Sequence, residues 1–380
     1  MKVVTSSAVK NKRVLMRVDF NVNIDKQENI IDDFRIIKVL PTIKFLKDND
    51  SEKIILISHL GRPQSDNKEQ FSLKPVAKYL EQLLGQKIYF LTTTIGPELK
   101  KEIDALPSCS IVLLENIRFY PEEEENNHSF AQELSRLGDV FINEAFSVSH
   151  RQAASVSTIT EFLPSYIGLL FRAETKALDT IKNIKSDKLV VILGGAKIKD
   201  KLPILNYFLE RAKFVLVGGA IANTILKSWD FEVGNSLVEP EMISEAKNLG
   251  SQKAELVVPG DYEVVTNKNQ IVTRNLGEIT KTDTILDIGP GATKTFEKII
   301  SKIEVIFWNG PLGKIEDTRF RKGTKGVIDA ILSNDKAQTV IGGGDTLMSI
   351  KLLKPKYSLE NTPSRFFSTG GGAMLEYLAN

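Results

Sequence analysis

Cysteine is nearly absent: Cys109 is the only one in 380 residues. A single thiol excludes an intramolecular disulfide and a multi-cysteine metal site, and it suits a reducing compartment. Set beside an apolar run, Cys109 reads as a packing residue. Histidine is almost as scarce, and His59, His128 and His150 are too few and too scattered for a zinc site. His128, in Asn126-Asn127-His128-Ser129, reads as an exposed residue at a helix start. Net charge is missing too: 50 basic and 48 acidic side chains leave +2, so no global field recruits nucleic acid or an anionic membrane. No apolar run approaches a membrane span, and Met1–Ser7 lacks a signal-peptide core, so a cytoplasmic protein is expected. There is no low-complexity linker, and the acidic run Glu122–Glu125 reads as a solvated loop and helix start. Nor does a G-x-G-x-x-G turn open a helix, which argues against a nicotinamide-dependent dehydrogenase.

What is present is an α/β pattern. The length exceeds one ordinary core and suggests two domains at about 150 residues each. Short apolar runs alternate with amphipathic stretches, which predicts βαβ units and two doubly wound, Rossmann-like parallel sheets. Expected boundaries are 1–168, a connecting hinge helix within 169–186, and 187–380. The helix is read from Ile167 to Leu178, with the polar stretch Lys182 to Lys188 after it.

In the first half, cationic groups lie on or just after the strands. The run Arg13–Asn21 carries Arg17, Asp19 and Asn21 at alternating positions, on one side if it is a strand. Lys53–Ser58 leads into His59 and Arg62, Ser110–Leu114 into Arg118, and Asp139–Phe146 towards His150 and Arg151. In an open parallel sheet the carboxyl ends of the strands share one edge, so these residues predict a basic cleft. Arg35 follows Asp32 and Asp33, read as the first turn of a helix to about Lys47; it either reaches the cleft or pairs with those acids. Arginine suits a phosphate or carboxylate because its fork donates two parallel hydrogen bonds. The implied ligand is a small multiply charged anion.

The second half ends its strands in glycine. Leu189–Leu193 leads into Gly194, Gly195, Lys197, Lys199 and Lys201; Phe214–Val217 into Gly218 and Gly219; Thr339–Ile341 into Gly342, Gly343, Gly344, Asp345 and Thr346; Phe366–Thr369 into Gly370, Gly371 and Gly372. Bare backbone at a helix N-terminus is a phosphate site, so this edge reads as the nucleotide side. Lys197 is read as lying at a helix start, with Lys201 one turn later on the same face. Asp345 is either a Mg²⁺ ligand or a plain helix N-cap. Asp287–Gly291, with Gly289, and Phe307–Gly313, with Asn309 and Pro311, are further strand exits that form pocket walls or simple turns, and Glu316 is a candidate ribose acceptor.

Together, Arg17–Asn21, Ser58–Pro63, Glu115–Phe119, Leu193–Lys201, Trp308–Pro311, Gly342–Thr346 and Ser368–Ala373 resemble phosphoglycerate kinase, in order from about Lys12 to Glu376. The resemblance implies an N-terminal domain for 3-phosphoglycerate or 1,3-bisphosphoglycerate, a C-terminal domain for Mg-ADP or Mg-ATP, and hinge closure in a monomer. It implies substrate roles for Asp19, Asn21, Arg35, His59, Arg62, Arg118, His150 and Arg151. Lys197 resembles the lysine that follows the migrating phosphoryl group, with Arg35 and the Gly371-Gly372 helix start assisting. Gly195, Lys201, Gly218, Gly219, Gly289, Asn309, Pro311, Glu316 and Gly343–Thr346 are expected on the nucleotide, with Asp345 on Mg²⁺. Departures from the family pattern are Ala153 for a second histidine, Ala220 for a third glycine, Asn223 and Ile225 for aromatic residues, and Lys314-Ile315 before Glu316. The family pattern also continues past Asn380 with a tail that packs on the N-terminal domain. These departures motivate a second expectation, a catalytically weakened paralogue that binds nucleotide or phosphoglycerate as a regulator.

Overall fold

The structure, a computed structural model, describes residues 1–64, 67–199, 201–249 and 253–379. The chain divides into two compact units, residues 1–176 and 177–380. Their boundary falls inside the helix Leu169–Asn183.

The first unit is built on β1 (Lys2–Val3), β2 (Arg13–Arg17), β3 (Lys53–Ile57), β4 (Ile88–Leu91), β5 (Ser110–Leu114), β6 (Val140–Asn143) and β7 (Ser165–Ile167). They form one sheet in the order β1-β7-β6-β2-β3-β5-β4, with every pair parallel. Successive side chains in a strand point to opposite faces, so each strand feeds two cores. Val14, Met16, Ile54, Leu56, Ile111 and Leu113 pack with Ile36, Val39 and Ile43 of the helix Phe34–Asp48 and with Val76 and Leu80 of the helix Lys74–Leu84. Leu15, Ile55, Ile57, Val112 and Leu114 pack on the other face, against Leu99 and Ile103 of Pro97–Ala105 and Phe130 and Leu134 of His128–Ser135. Two buried faces explain why these strands read as continuous apolar runs without polar alternation.

The second unit contains β8 (Leu189–Leu193), β9 (Phe214–Val217), β10 (Glu255–Val257), β11 (Asp261–Val265), β12 (Ile271–Asn275), β13 (Thr284–Ile288), β14 (Val305–Asn309), β15 (Gln338–Gly342) and β16 (Arg365–Ser368). Six of these form a parallel sheet, β10-β9-β8-β14-β15-β16. The other three form an antiparallel sheet, β12-β11-β13. The exit at Asp287–Gly291 therefore belongs to a different sheet from the other glycine turns. The apolar residues Tyr262, Val264 and Ile285 of this smaller sheet pack on Leu226.

Several local expectations change. The strand expected to run to Asn21 ends at Arg17, and Asp19 and Asn21 lie in the loop beyond it. Cys109 is exposed in a turn before β5 with φ +64°, outside any apolar packing. Asp32 and Asp33 precede the helix Phe34–Asp48, and Asp32 accepts a hydrogen bond from the Phe34 N–H at 3.0 Å. No helix among the described residues is long and apolar enough to cross a membrane.

Candidate active site

The strands β6, β2, β3 and β5 are neighbours, so the segments after them are brought side by side. Arg17 ends β2 and is buried, donating from Nε to Ser155 Oγ at 2.9 Å and from Nη2 to His59 Nδ1 at 3.1 Å. Arginine cannot accept, so His59 Nδ1 is the acceptor and the ring is neutral with its proton on Nε2. Burial is the main reason that His59 is held well below the usual histidine range, and the nearby arginines add to it; Asp19, 4.0 Å away, opposes without prevailing.

Asp19 is the centre of a second group. Burial by itself would raise its carboxyl, but Arg35 beside it and the Ser147 hydroxyl hold it well below the ordinary carboxylate value. Arg35 donates from Nη1 to Asp19 at 2.7 Å and to the Asn21 carbonyl at 3.3 Å, while Ser147 Oγ donates to the same carboxylate oxygen. Arg35 thus reaches the cleft, where Asp19 is its ion-pair partner. Asn21 Oδ1 accepts from the Gly61 N–H at 2.8 Å, and the Gly61 carbonyl accepts from Arg118 at 2.7 Å. Asp19, Asn21, Arg35, His59 and Arg118 therefore belong to one continuous polar set. A cavity of about 100 Å³ beside it is lined by Arg17, Arg118, Arg151 and Ala153, among others. Burial, and the charges of Arg151, Arg17 and Arg62, lower the Arg118 pKa, while Glu124 at 3.3 Å opposes them. Arg62 and His150 are exposed.

Three members of this region escaped the sequence pattern. Glu123 is buried, in contrast to the solvated run expected for Glu122–Glu125, and accepts from the Ser155 N–H at 2.8 Å and hydroxyl at 2.6 Å. It offsets the burial of Arg17. Four consecutive glutamates carry no signal of which one turns inward, and nothing in the spacing of Ser147 or Ser155 marks either.

In the second unit Val217, Leu193, Asn309, Gly342 and Ser368 stand in one register row across β9, β8, β14, β15 and β16. The glycine turns all leave from this row. Their backbones touch: a Cβ on Gly194 would collide with the Pro311 carbonyl, and one on Gly310 with the Gly194 carbonyl. Only glycine fits this crossing. The Ala220 N–H donates to the Gly195 carbonyl at 3.1 Å, and the Gly219 N–H to the Leu312 carbonyl at 3.0 Å, joining Gly195, Gly218, Gly219 and Pro311 in one corner. Asn309 donates to the Gly342 carbonyl at 2.9 Å, and Thr346 Oγ1 accepts from the Gly310 N–H at 2.6 Å.

Lys201 Nζ donates to the Gly194 carbonyl and lies 3.5 Å from that of Asn309, bridging two strand ends. The helix after β8 begins at Leu202, so Lys197 and Lys201 do not share a helical face as the sequence suggested. Pro203 in the first turn places the helix start there. Lys197 is exposed in the turn, and the Lys199 N–H donates to Glu239 at 2.8 Å. Gly343 precedes the helix Gly344–Leu353, whose first turn carries the exposed Asp345. Gly371, at φ +52°, precedes the helix Gly372–Ala379. Glu316 is exposed. Gly289 stands apart: the helix Pro290–Ile300 that follows it is capped by the Asp261 carboxylate, which accepts from the Gly291 and Ala292 N–H groups at 2.8 and 2.5 Å. That helix N-terminus already has its anion.

One sheet edge set with arginines and another closed by crossing glycines under a lysine define a two-unit α/β protein suited to anionic, phosphate-bearing ligands. A family model described as phosphoglycerate kinase matches residues 4–380. The phosphoglycerate kinase of Coprothermobacter proteolyticus is 39% identical over 383 aligned residues, covering 100% of this chain and 96% of that protein. That of Pelobacter propionicus is 40% identical over 379 residues, covering 97% and 93%. Among solved structures, phosphoglycerate kinase from Pyrococcus horikoshii superposes with a TM-score of 0.86 at 29% identity, covering 100% and 96%; that from Coxiella burnetii gives 0.82 at 31%, covering 98% and 94%. The chain belongs to the phosphoglycerate kinase family.

Proposed function

We propose that the chain catalyses reversible transfer of the acyl phosphate of 1,3-bisphosphoglycerate to Mg-ADP, giving 3-phosphoglycerate and Mg-ATP. The observation that carries this reading is the full-length family match on a chain with a cationic edge in one unit and a glycine edge in the other. Relatives named phosphoglycerate kinase at near full length support the enzyme over a weakened binding paralogue.

In this reading Asp19, Asn21, His59, Arg62, Arg118, His150 and Arg151 bind and orient the phosphoglycerate. Neutral His59 offers its Nε2 proton, and Asp19 aims the Arg35 fork from behind. Phosphoryl transfer asks little covalent chemistry of a protein; in-line positioning and neutralisation of the equatorial oxygens carry it. Arg35 and Lys197 supply that charge, with the backbone N–H groups at Gly371 and Gly372. The attacking oxygen is already anionic, so the step needs no general base. On the nucleotide, Gly195, Lys201, Gly218, Gly219 and Gly343–Thr346 hold phosphates, and Asn309, Pro311 and Glu316 line the nucleoside; the Gly289 turn, whose helix N-terminus is taken by Asp261, offers a pocket wall and no phosphate site. Asp345 fits a Mg²⁺ that keeps most of its ligands from phosphates and water, since it offers one exposed carboxylate at the end of the glycine row. Bound there, Mg²⁺ would supply charge neutralisation on the polyphosphate. Transfer without hydrolysis requires donor and acceptor to meet away from water, which makes hinge closure part of the proposal. A cytoplasmic monomer without nucleic-acid or membrane partners completes it.

The test is a coupled assay of ATP formation from 1,3-bisphosphoglycerate and ADP. Arg35→Ala and Lys197→Ala should each lose kcat by about a hundredfold or more. Undiminished turnover in both would sink the assigned roles.

A further inference from the structure

The loop that follows β14 carries Pro311 and Glu316, and its backbone is held by a helix the nucleotide assignment does not use. The N–H groups of Leu312 and Gly313 converge on one atom, Thr324 Oγ1, at 3.1 and 3.2 Å. Thr324 stands in the first turn of the helix Lys322–Ser333 and is 0% exposed. Two consecutive N–H groups that converge form a concavity that requires an electronegative atom, and a hydroxyl oxygen has the two lone pairs to satisfy both. At that burial Thr324 cannot itself meet a ligand.

Asp287 fixes where the hydroxyl lies. Arg321, in the N-cap position, gives the helix no side-chain cap; Asp287, buried near the end of β13, accepts from the Gly323 N–H at 2.9 Å instead. That bond sets the first turn of the helix, and Thr324 is the next residue. The loop also lies directly on Asp287, since a Cβ on Gly313 would collide with the carboxylate. Further along, the Lys314 N–H donates to the Leu286 carbonyl at 2.8 Å and Arg321 Nε to the Ile315 carbonyl at 2.5 Å. Every backbone tie on Leu312–Ile315 named here therefore runs to β13, to Arg321 or to Thr324, and Thr324 alone holds two successive N–H groups.

We propose that Thr324 is a positioning residue for nucleotide binding: through Leu312 and Gly313 it keeps Pro311 and Glu316 in the arrangement that receives the nucleoside. This rests on the nucleoside role assigned to that loop. Without the hydroxyl, two N–H groups lose their acceptor and the loop relaxes towards water to regain one. Apparent nucleotide affinity then falls by the fraction of protein that keeps the competent arrangement. The residues assigned to the phosphoglycerate belong to the other unit and keep their own contacts.

The experiment is steady-state kinetics on the full chain with each substrate varied in turn. Thr324→Val keeps the shape and removes the acceptor; it should raise KM for ADP by about tenfold, with kcat and KM for 1,3-bisphosphoglycerate near wild type. Thr324→Ser, which restores the hydroxyl, should return KM for ADP towards wild type. An unchanged KM for ADP in Thr324→Val would overturn the proposal, as would a loss spread evenly over kcat and both KM values, which marks a merely structural role. A serine variant as impaired as the valine variant would overturn it too. Should Thr324→Val fail to fold, Thr324→Ala set against Thr324→Ser differs by the same single hydroxyl and is read in the same way. Wild type without turnover would instead overturn the kinase reading, and the proposal with it, which separates the two failures.

Discussion

His59 shows what burial does to a single residue. A histidine ordinarily titrates near neutrality, but here desolvation keeps the ring neutral well below its usual range. The unfolded chain takes up a proton near pH 6.5 and the folded chain does not, so the stability His59 contributes is present above that pH and is lost as pH falls below it. The slope is at most about 1.4 kcal/mol per pH unit. In His59→Gln the decline of Tm between pH 6.5 and 5 should be shallower than in wild type, measured by thermal melts; an identical slope would show that His59 protonates freely in the fold. The cationic residues themselves were legible because arginine and histidine after apolar runs are visible in a line of text. Their partners were not: Asp19 binds Arg35 16 residues away and Ser147 128 residues away, and no local pattern encodes the second.

At the scale of elements, Glu144 governs the start of the helix that spans the unit boundary. Its carboxylate accepts from the Leu170 and Phe171 N–H groups at 2.9 and 3.3 Å and from the Thr42 hydroxyl. Burial outweighs these bonds and pushes Glu144 up to about 7, with Glu174 adding to the rise. A carboxyl raised in the fold is stabilising below its unfolded value, and that contribution is lost as pH rises through about 7. Glu144→Gln, which stays neutral, should therefore gain Tm relative to wild type between pH 5 and 8, by the equivalent of about 2–3 kcal/mol at the alkaline end. A constant difference across that range would refute the raised value. Strands and glycine turns were readable from the text, since apolar runs and glycines are local signals. The start of the helix at Leu202 was misplaced because lysines following glycines look like a helix start, whereas Pro203 decides it. The antiparallel sheet β12-β11-β13 went unseen because a strand's own residues do not state which partner it pairs with or in which direction, and its place depends on packing against Leu226.

Over the whole molecule, each unit has its own core, which permits separate unfolding. Both tryptophans, Trp229 and Trp308, lie in the second unit, so fluorescence reports that unit alone. Ile55→Ala removes a fully buried side chain from the first unit and should cost it about 2–5 kcal/mol. In denaturant, circular dichroism should then show an early phase while the fluorescence midpoint stays at its wild-type value. Coincident shifts in both signals would mean that the units unfold as one. The amino-acid order by itself determined two parallel α/β sheets, a cationic half and a glycine half, because strand period, helix period and turn chemistry act over a few residues. Only the tertiary structure decided that Glu123 and Ser155 hold Arg17, that Asp19 aims Arg35, that Asp261 occupies the helix after Gly289, and that Thr324 receives the Leu312 and Gly313 N–H groups. Those outcomes depend on which distant segments are packed together and on what water they exclude.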